Sequence, residues 1–167
     1  MKKTFSLFAS LILLISVGCG AYSFTGGSTG NAKTIQVNFF PNQAPLVEPS
    51  LSQRFTQDLQ DLFTRQTNLT LVNAGGDLRF EGEIVGYRIS PITATANQTA
   101  AQNRLTVSVN VRFTNVEKEE DDFEQQFSYY HDYDAGEQLA GSILEAAYAE
   151  ILPRITQDIF NASVAKW

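Results

Sequence analysis

The chain holds a single cysteine, a single histidine and only 12 basic residues among 167. Each scarcity excludes a class of function. One thiol cannot close an intramolecular disulfide or build a cysteine-based metal site. His131, with Asp132 and Asp134 beside it, lacks the further partners that a triad or a zinc site requires, so it reads as an ordinary strand position. Against 18 acidic residues the balance is −6, a poor match to nucleic acid. The glycines at Gly26, Gly27 and Gly30 are not followed by the Lys-Ser/Thr of a phosphate loop. The acidic run Glu117–Asp122 lacks the glycine and the spaced ligands of a calcium loop, and reads as a solvated hairpin tip. These absences point to a protein that is not an enzyme and carries no cofactor or metal.

Long apolar runs are also missing. The longest, Phe5 to Ile15, falls short of the roughly 20 residues that span a bilayer. Behind Lys2 and Lys3 it has the form of a secretory leader, ending on small residues. Ser16-Val17-Gly18-Cys19 resembles a bacterial lipobox, with Ser16 where Leu is usual. On that reading residues 1–18 are a lipoprotein signal peptide. Cys19 becomes the first mature residue and carries a diacylglycerol and fatty acyl chains such as palmitate. The mature chain then has 149 residues and a net charge of −8, since both leading lysines are lost. A chain of that size buries roughly 70% of its surface in one core. Residues 19–33, rich in Gly, Ser and Thr, form a flexible tether, and 34–167 form a single domain.

Periodicity sets out the elements of that domain. Thr34 to Phe39 alternates as a strand. Pro41, Pro45 and Pro49 keep the next connection extended. Ser50 and Gln53 have the spacing of a capping box. Leu51, Phe55, Leu59, Leu62 and Phe63 mark one face of a helix to about Gln66. Leu69 and Leu71 could make a short strand before the turn at Gly75-Gly76-Asp77. Leu78, Phe80 and Ile84 alternate in one phase and Val85, Tyr87 and Ile89 in the other, which predicts a bulge between Gly82 and Gly86. Pro91 should end that strand, and a polar loop spans 93–103. Leu105 to Phe113 alternates cleanly, with one buried and one polar face. Phe123 to Tyr133 continues as the last strand. Asp134-Ala135-Gly136-Glu137 should cap a second helix with Leu139, Ile143, Ala147, Ile151, Ile155 and Ile159 inward. Pro153 should kink or split it. The order β-α-β-β-β-α predicts an α/β (α+β) two-layer sandwich: a mostly antiparallel four-stranded sheet with two helices on one face.

Several stretches together resemble the lipopolysaccharide-assembly lipoprotein (LptE) family. They are Cys19 with Tyr22-Ser23-Phe24-Thr25-Gly26, Leu51-Ser52-Gln53-Arg54-Phe55-Thr56, Gly76-Asp77-Leu78, Gly82-Glu83-Ile84, Asn103-Arg104-Leu105-Thr106 and Asp158-Ile159-Phe160-Asn161. The resemblance implies an outer-membrane lipoprotein on the periplasmic side. Its partner would be an LptD-like β-barrel, which it plugs and helps to assemble, and it would assist lipopolysaccharide insertion. Two other readings stay open: a pilotin-like assembly lipoprotein for another outer-membrane pore, and a periplasmic carrier holding a small ligand between helices and sheet.

The polar sheet face supplies the remaining candidates. By alternation Arg79, Arg88, Arg104 and Arg112 point away from the helices. A hairpin closing symmetrically around Ala96 would set Arg88 opposite Arg104 and Arg79 close to Arg112. Like charges across a strand pair are destabilising unless an anion separates them, and arginine grips phosphate with a bidentate fork. The four are therefore candidate contacts for lipopolysaccharide phosphates or for acidic groups of the barrel. Glu81, Glu83 and Glu124 share the face and are the alternative, internal partners.

Overall fold

The computed structural model describes residues 29–46, 48–92 and 101–165. The leader, Cys19 and the tether up to Ser28 lie outside the described residues, as does the 93–100 part of the polar loop.

Strand β1 (Thr34–Val37) opens the domain. It is held at its start by Asp77, whose carboxylate accepts from the backbone N–H groups of Lys33 and Thr34, both at 2.9 Å, and from the Thr34 hydroxyl at 2.8 Å. Those donors hold the Asp77 carboxyl below the usual carboxylate range. Helix α1 (Pro49–Gln66) begins two residues earlier than the capping-box spacing predicts. Pro49 brings its φ preset for a first helical turn, so Glu48 becomes the cap, and its carboxylate accepts from Ser50 Oγ at 2.9 Å. Leu51, Phe55, Leu59 and Phe63 are buried as the stripe requires, and Leu62 lies at its margin.

Among the described residues the sheet has five strands, not four. Thr70–Leu71 forms β2, which pairs parallel with β1. β1 is also parallel to β3 (Leu78–Ile92). β3, β4 (Gln102–Asn115) and β5 (Phe123–Asp134) are antiparallel. The spatial order is β2-β1-β3-β4-β5, a mixed sheet. β1 runs parallel to its neighbours because it connects to both through helix α1 and the return after it, the crossover that parallel strands need. A short 3₁₀ turn, Glu119–Asp121, forms the acidic tip between β4 and β5.

The bulge lies where the change of phase places it, between Ile84 and Gly86. Val85 is the extra residue, and it turns Tyr87 back into the core. Pro91 does not end β3, because after the bulge its missing N–H falls on the outer side of the strand, where no ladder bond is lost.

Helix α2 (Gly141–Ser163) starts later than predicted, with Ala140 as cap and no capping side chain. Asp134 instead closes a turn, its carboxylate accepting from Gly136 N–H at 2.7 Å. The helix is not split at Pro153, which is exposed together with Ala149. Both lie on the solvent side of the helix, where water satisfies a carbonyl freed by proline, and the chain continues helical beyond it.

Both helices cover one face of the sheet. Phe63 meets Phe80 at 4.7 Å and Phe160 at 5.1 Å between ring centroids, and Phe80 meets Phe113 at 4.9 Å. Phe40 packs edge-on to Phe55 at 5.1 Å. These rings fill the space in which a carrier would hold its ligand. Among the described residues no helix is long and apolar enough to cross a membrane.

Candidate functional site

The uncovered face of the sheet is polar because every second residue of three long strands is polar. β3 contributes Arg79, Glu81, Glu83 and, after the bulge, Arg88. β4 contributes Arg104, Thr106, Ser108, Asn110 and Arg112, and β5 contributes Glu124, Gln126, Ser128, Tyr130 and Asp132. All four candidate arginines lie on this face, but their neighbours differ from the symmetric hairpin. Arg88 stands opposite Thr106 and Arg104 opposite Ser90, so the two are diagonal. Arg79 stands opposite Thr114, and Arg112 opposite Glu81. No pair of arginines faces across the ladder.

Three of the four have internal partners. Arg104 forms a fork on Asp132, with Nε to Oδ1 at 2.7 Å and Nη2 to Oδ2 at 2.8 Å. Its guanidinium also lies 3.6 Å above the Tyr130 ring. The fork holds the Asp132 carboxyl below its ordinary range and raises Arg104 in return. Arg112 sits between Glu124, at 3.4 Å, and Glu81, at 3.6 Å. Arg79 Nε donates to the Gly76 carbonyl at 2.9 Å. Glu83 takes a hydrogen bond from Asn110 at 3.4 Å rather than from an arginine.

Arg88 is different. It is exposed, and among the described residues it makes no ion pair or hydrogen bond. It lines an open groove of about 790 Å³ over the bulge, together with Pro45, Leu46, Val85, Thr106 and Ser108. Leu46 is 52% exposed and Ile89, also on the groove, 40%. The site thus combines a cation without a partner among the described residues, hydroxyl groups and an apolar rim, a set that suits an amphiphile with an anionic head. Alternation identified the cation but not the rim. Leu46 comes from the Pro41–Pro49 connection, which no periodicity places against the sheet.

His131 lies on the opposite, helix-covered face, where Nδ1 is 2.6 Å from Glu150 Oε2 of α2. Asp132 points the other way to Arg104, so the strand separates His131 from Asp132 and Asp134, which the sequence sets beside it. Among the described residues no group of His, Cys, Asp and Glu is placed to hold a metal.

Comparison with known proteins agrees with this architecture. The family model described as "LptE: Lipopolysaccharide-assembly" matches residues 32–163. No curated protein matches in sequence. Among solved structures, the hypothetical protein CT253 from Chlamydia trachomatis is similar with a TM-score of 0.54 at 7% identity, over 79% of this chain and 98% of that one. That likeness is one of fold. Uncharacterized lipoprotein B from Nitrosomonas europaea aligns at 14% identity over 84% of this chain and 86% of that one, with a TM-score of 0.43. Rare lipoprotein B from Shewanella oneidensis aligns at 14% identity over 77% and 87%, with a TM-score of 0.36.

Proposed function

Because the chain belongs to the LptE lipopolysaccharide-assembly family, we propose that it is a lipid-anchored component of a lipopolysaccharide translocon at the outer membrane. In this reading Cys19 carries the anchor on the periplasmic side. The domain plugs and helps to assemble an LptD-like barrel, and it assists lipopolysaccharide insertion without catalysing a reaction. The observation that carries the reading is the family match across nearly the whole domain. The polar sheet face supports it locally, since it offers Arg88, without a partner among the described residues, beside an apolar rim. Lipopolysaccharide presents phosphates next to acyl chains, the same two chemistries. Arg104, Arg112 and Arg79 frame the face but are already held by Asp132, by Glu81 and Glu124, and by Gly76. Arg88 is therefore the principal contact of the four.

The test is Arg88→Glu, followed by Arg88→Glu with Arg104→Glu, assayed for lipopolysaccharide binding and for recovery of the barrel complex. A charge-assisted hydrogen bond contributes about 1.5–3 kcal/mol, so the single reversal should weaken lipopolysaccharide binding by about 10- to 150-fold. Its melting temperature should be unchanged, since among the described residues Arg88 has no partner to lose. Folded variants that bind lipopolysaccharide and recover the barrel at wild-type levels would reduce the arginines to a solvated surface. Loss of lipopolysaccharide with the barrel retained would separate ligand contact from plugging.

A further inference from the structure

The two edges of the sheet are finished in opposite ways. On one side β2 is only two residues long. Beyond β1, the connecting segment covers the outer side of β3: Asn38 N–H donates to Phe80 at 2.9 Å, Ile84 N–H to Pro41 at 2.9 Å and Gln43 N–H to Ile84 at 2.8 Å. The stretch of β3 left open there reaches Pro91, which has no N–H to offer. Short strands, covering loops and proline are the usual protections of a sheet edge.

The other edge has none of them. β5 is 12 residues long and contains no proline, glycine or lysine. It pairs with β4 without a register shift from Gln102↔Asp134 to Phe113↔Phe123. The phase of its hydrogen bonds follows from the next pair, where Ala135 N–H donates to the Ala101 carbonyl at 3.0 Å. Odd-numbered residues of β5 therefore bond to β4. Even-numbered residues, Glu124, Gln126, Ser128, Tyr130 and Asp132, turn their N–H and C=O groups outward. Among the described residues, no backbone hydrogen bond reaches those groups from outside β4.

Charge then selects what can pair there. The middle of the strand, Gln125 to Tyr130, carries no charge. Both ends are acidic: Glu119, Glu120, Asp122 and Glu124 at one, Asp132, Asp134 and Glu137 at the other. Arg112 and Arg104 offset Glu124 and Asp132, but Glu119, Glu120, Asp122, Asp134 and Glu137 make no ion pair among the described residues. A second copy of the chain would oppose acid to acid whether it paired parallel or antiparallel, which is destabilising. A strand with basic residues at both ends would meet no such repulsion.

We propose that the β5 edge is a docking site for an extended segment of another polypeptide, which adds as a sixth strand and is basic at both ends. Its backbone supplies the hydrogen bonds, and its terminal charges supply the selectivity. The proposal is independent of the lipopolysaccharide contact at Arg88.

The probe is a labelled peptide of alternating Thr and Val with two lysines at each end, titrated by fluorescence anisotropy onto the full protein in detergent micelles. It should bind, and binding should fall with salt. Two N-methylated peptides, blocked on alternate residues in opposite phases, should differ by at least about tenfold. A glutamate-ended peptide should not bind. Gln126→Pro removes one outward N–H and leaves the β4 ladder intact, so it should weaken binding by about tenfold or more without changing the circular dichroism spectrum. Absence of binding at about 1 mM peptide, the weak limit of specific recognition, would overturn the proposal. Equal binding of both methylated forms would do the same. Sedimentation showing a dimer that Gln126→Pro dissociates would assign the edge to a second copy instead.

Discussion

Replacing Gly82 with alanine should damage the sheet more than any other single methyl group added to β3. Gly82 pairs with Val111 in the middle of the β3–β4 ladder and has φ of 156°. A Cβ there would lie 2.0 Å from the Asn110 carbonyl oxygen and 2.8 Å from Cε1 of Phe40. An ordinary carbon–oxygen contact is about 3.3 Å or longer, so the two strands must part by more than about 1 Å. Asn110 is backbone in a ladder, and Phe40 is fully buried against Phe55, so neither yields easily. Overpacking of this kind costs about 1–3 kcal/mol and the positive φ about 1–2 kcal/mol, for a total of about 2–5 kcal/mol. For a domain of this size that lowers the melting temperature by about 5–20 °C. Gly75→Ala separates the two contributions, because φ there is 73° but nothing lies within 4 Å of the added Cβ. It should cost only the backbone part, about 1–2 kcal/mol. Urea titrations followed by circular dichroism would measure both. If Gly82→Ala came within about 1 kcal/mol of wild type, or cost no more than Gly75→Ala, the overpacking argument would be wrong.

Three further outcomes are expected. Cys19→Ser should release the protein into the soluble periplasmic fraction when no barrel partner is present, because each buried acyl CH₂ contributes about 0.8 kcal/mol; a variant still on outer membranes would place the anchor elsewhere. Phe63→Ala removes a fully buried ring between Phe80 and Phe160 and should cost about 3–5 kcal/mol in urea, whereas a loss below about 1.5 kcal/mol would mean the helix layer is loosely packed. Asp77→Asn keeps an acceptor but not the charge. Since the carboxyl is held below its ordinary value, its stabilisation is present above about pH 4 and lost as pH falls through the depressed value, so the stability gap between the two proteins should be full at pH 7 and close in acid. A gap independent of pH would refute the charge argument.

Face was legible in the sequence; register was not. Alternation places Arg79, Arg88, Arg104 and Arg112 on the polar side, and the change of phase after Ile84 locates the bulge. The pairing across β3 and β4, however, is set by the loop between them and by the extra residue Val85. Displacing a strand by two residues keeps every side chain on its face while giving it a new neighbour. That is how Arg88 comes to face Thr106 instead of Arg104; before the bulge Val85 reduces the displacement to one residue, which sets Arg112 opposite Glu81. β2 is too short to show a period. The helix starts turn on single residues: Pro49 sets the first turn of α1, and Asp134 is used in a turn rather than as a cap of α2. The apolar rim of the Arg88 groove comes from a proline-rich connection that carries no periodic signal.

The proposed service of this domain to an LptD-like barrel can be tested in the membrane itself. Affinity purification of the wild-type lipoprotein from outer membranes, with mass spectrometry of what co-elutes, addresses it most directly. An LptD-like β-barrel is expected as the principal partner. Recovery of a secretin or another pore in its place, or of no barrel at all, would contradict it.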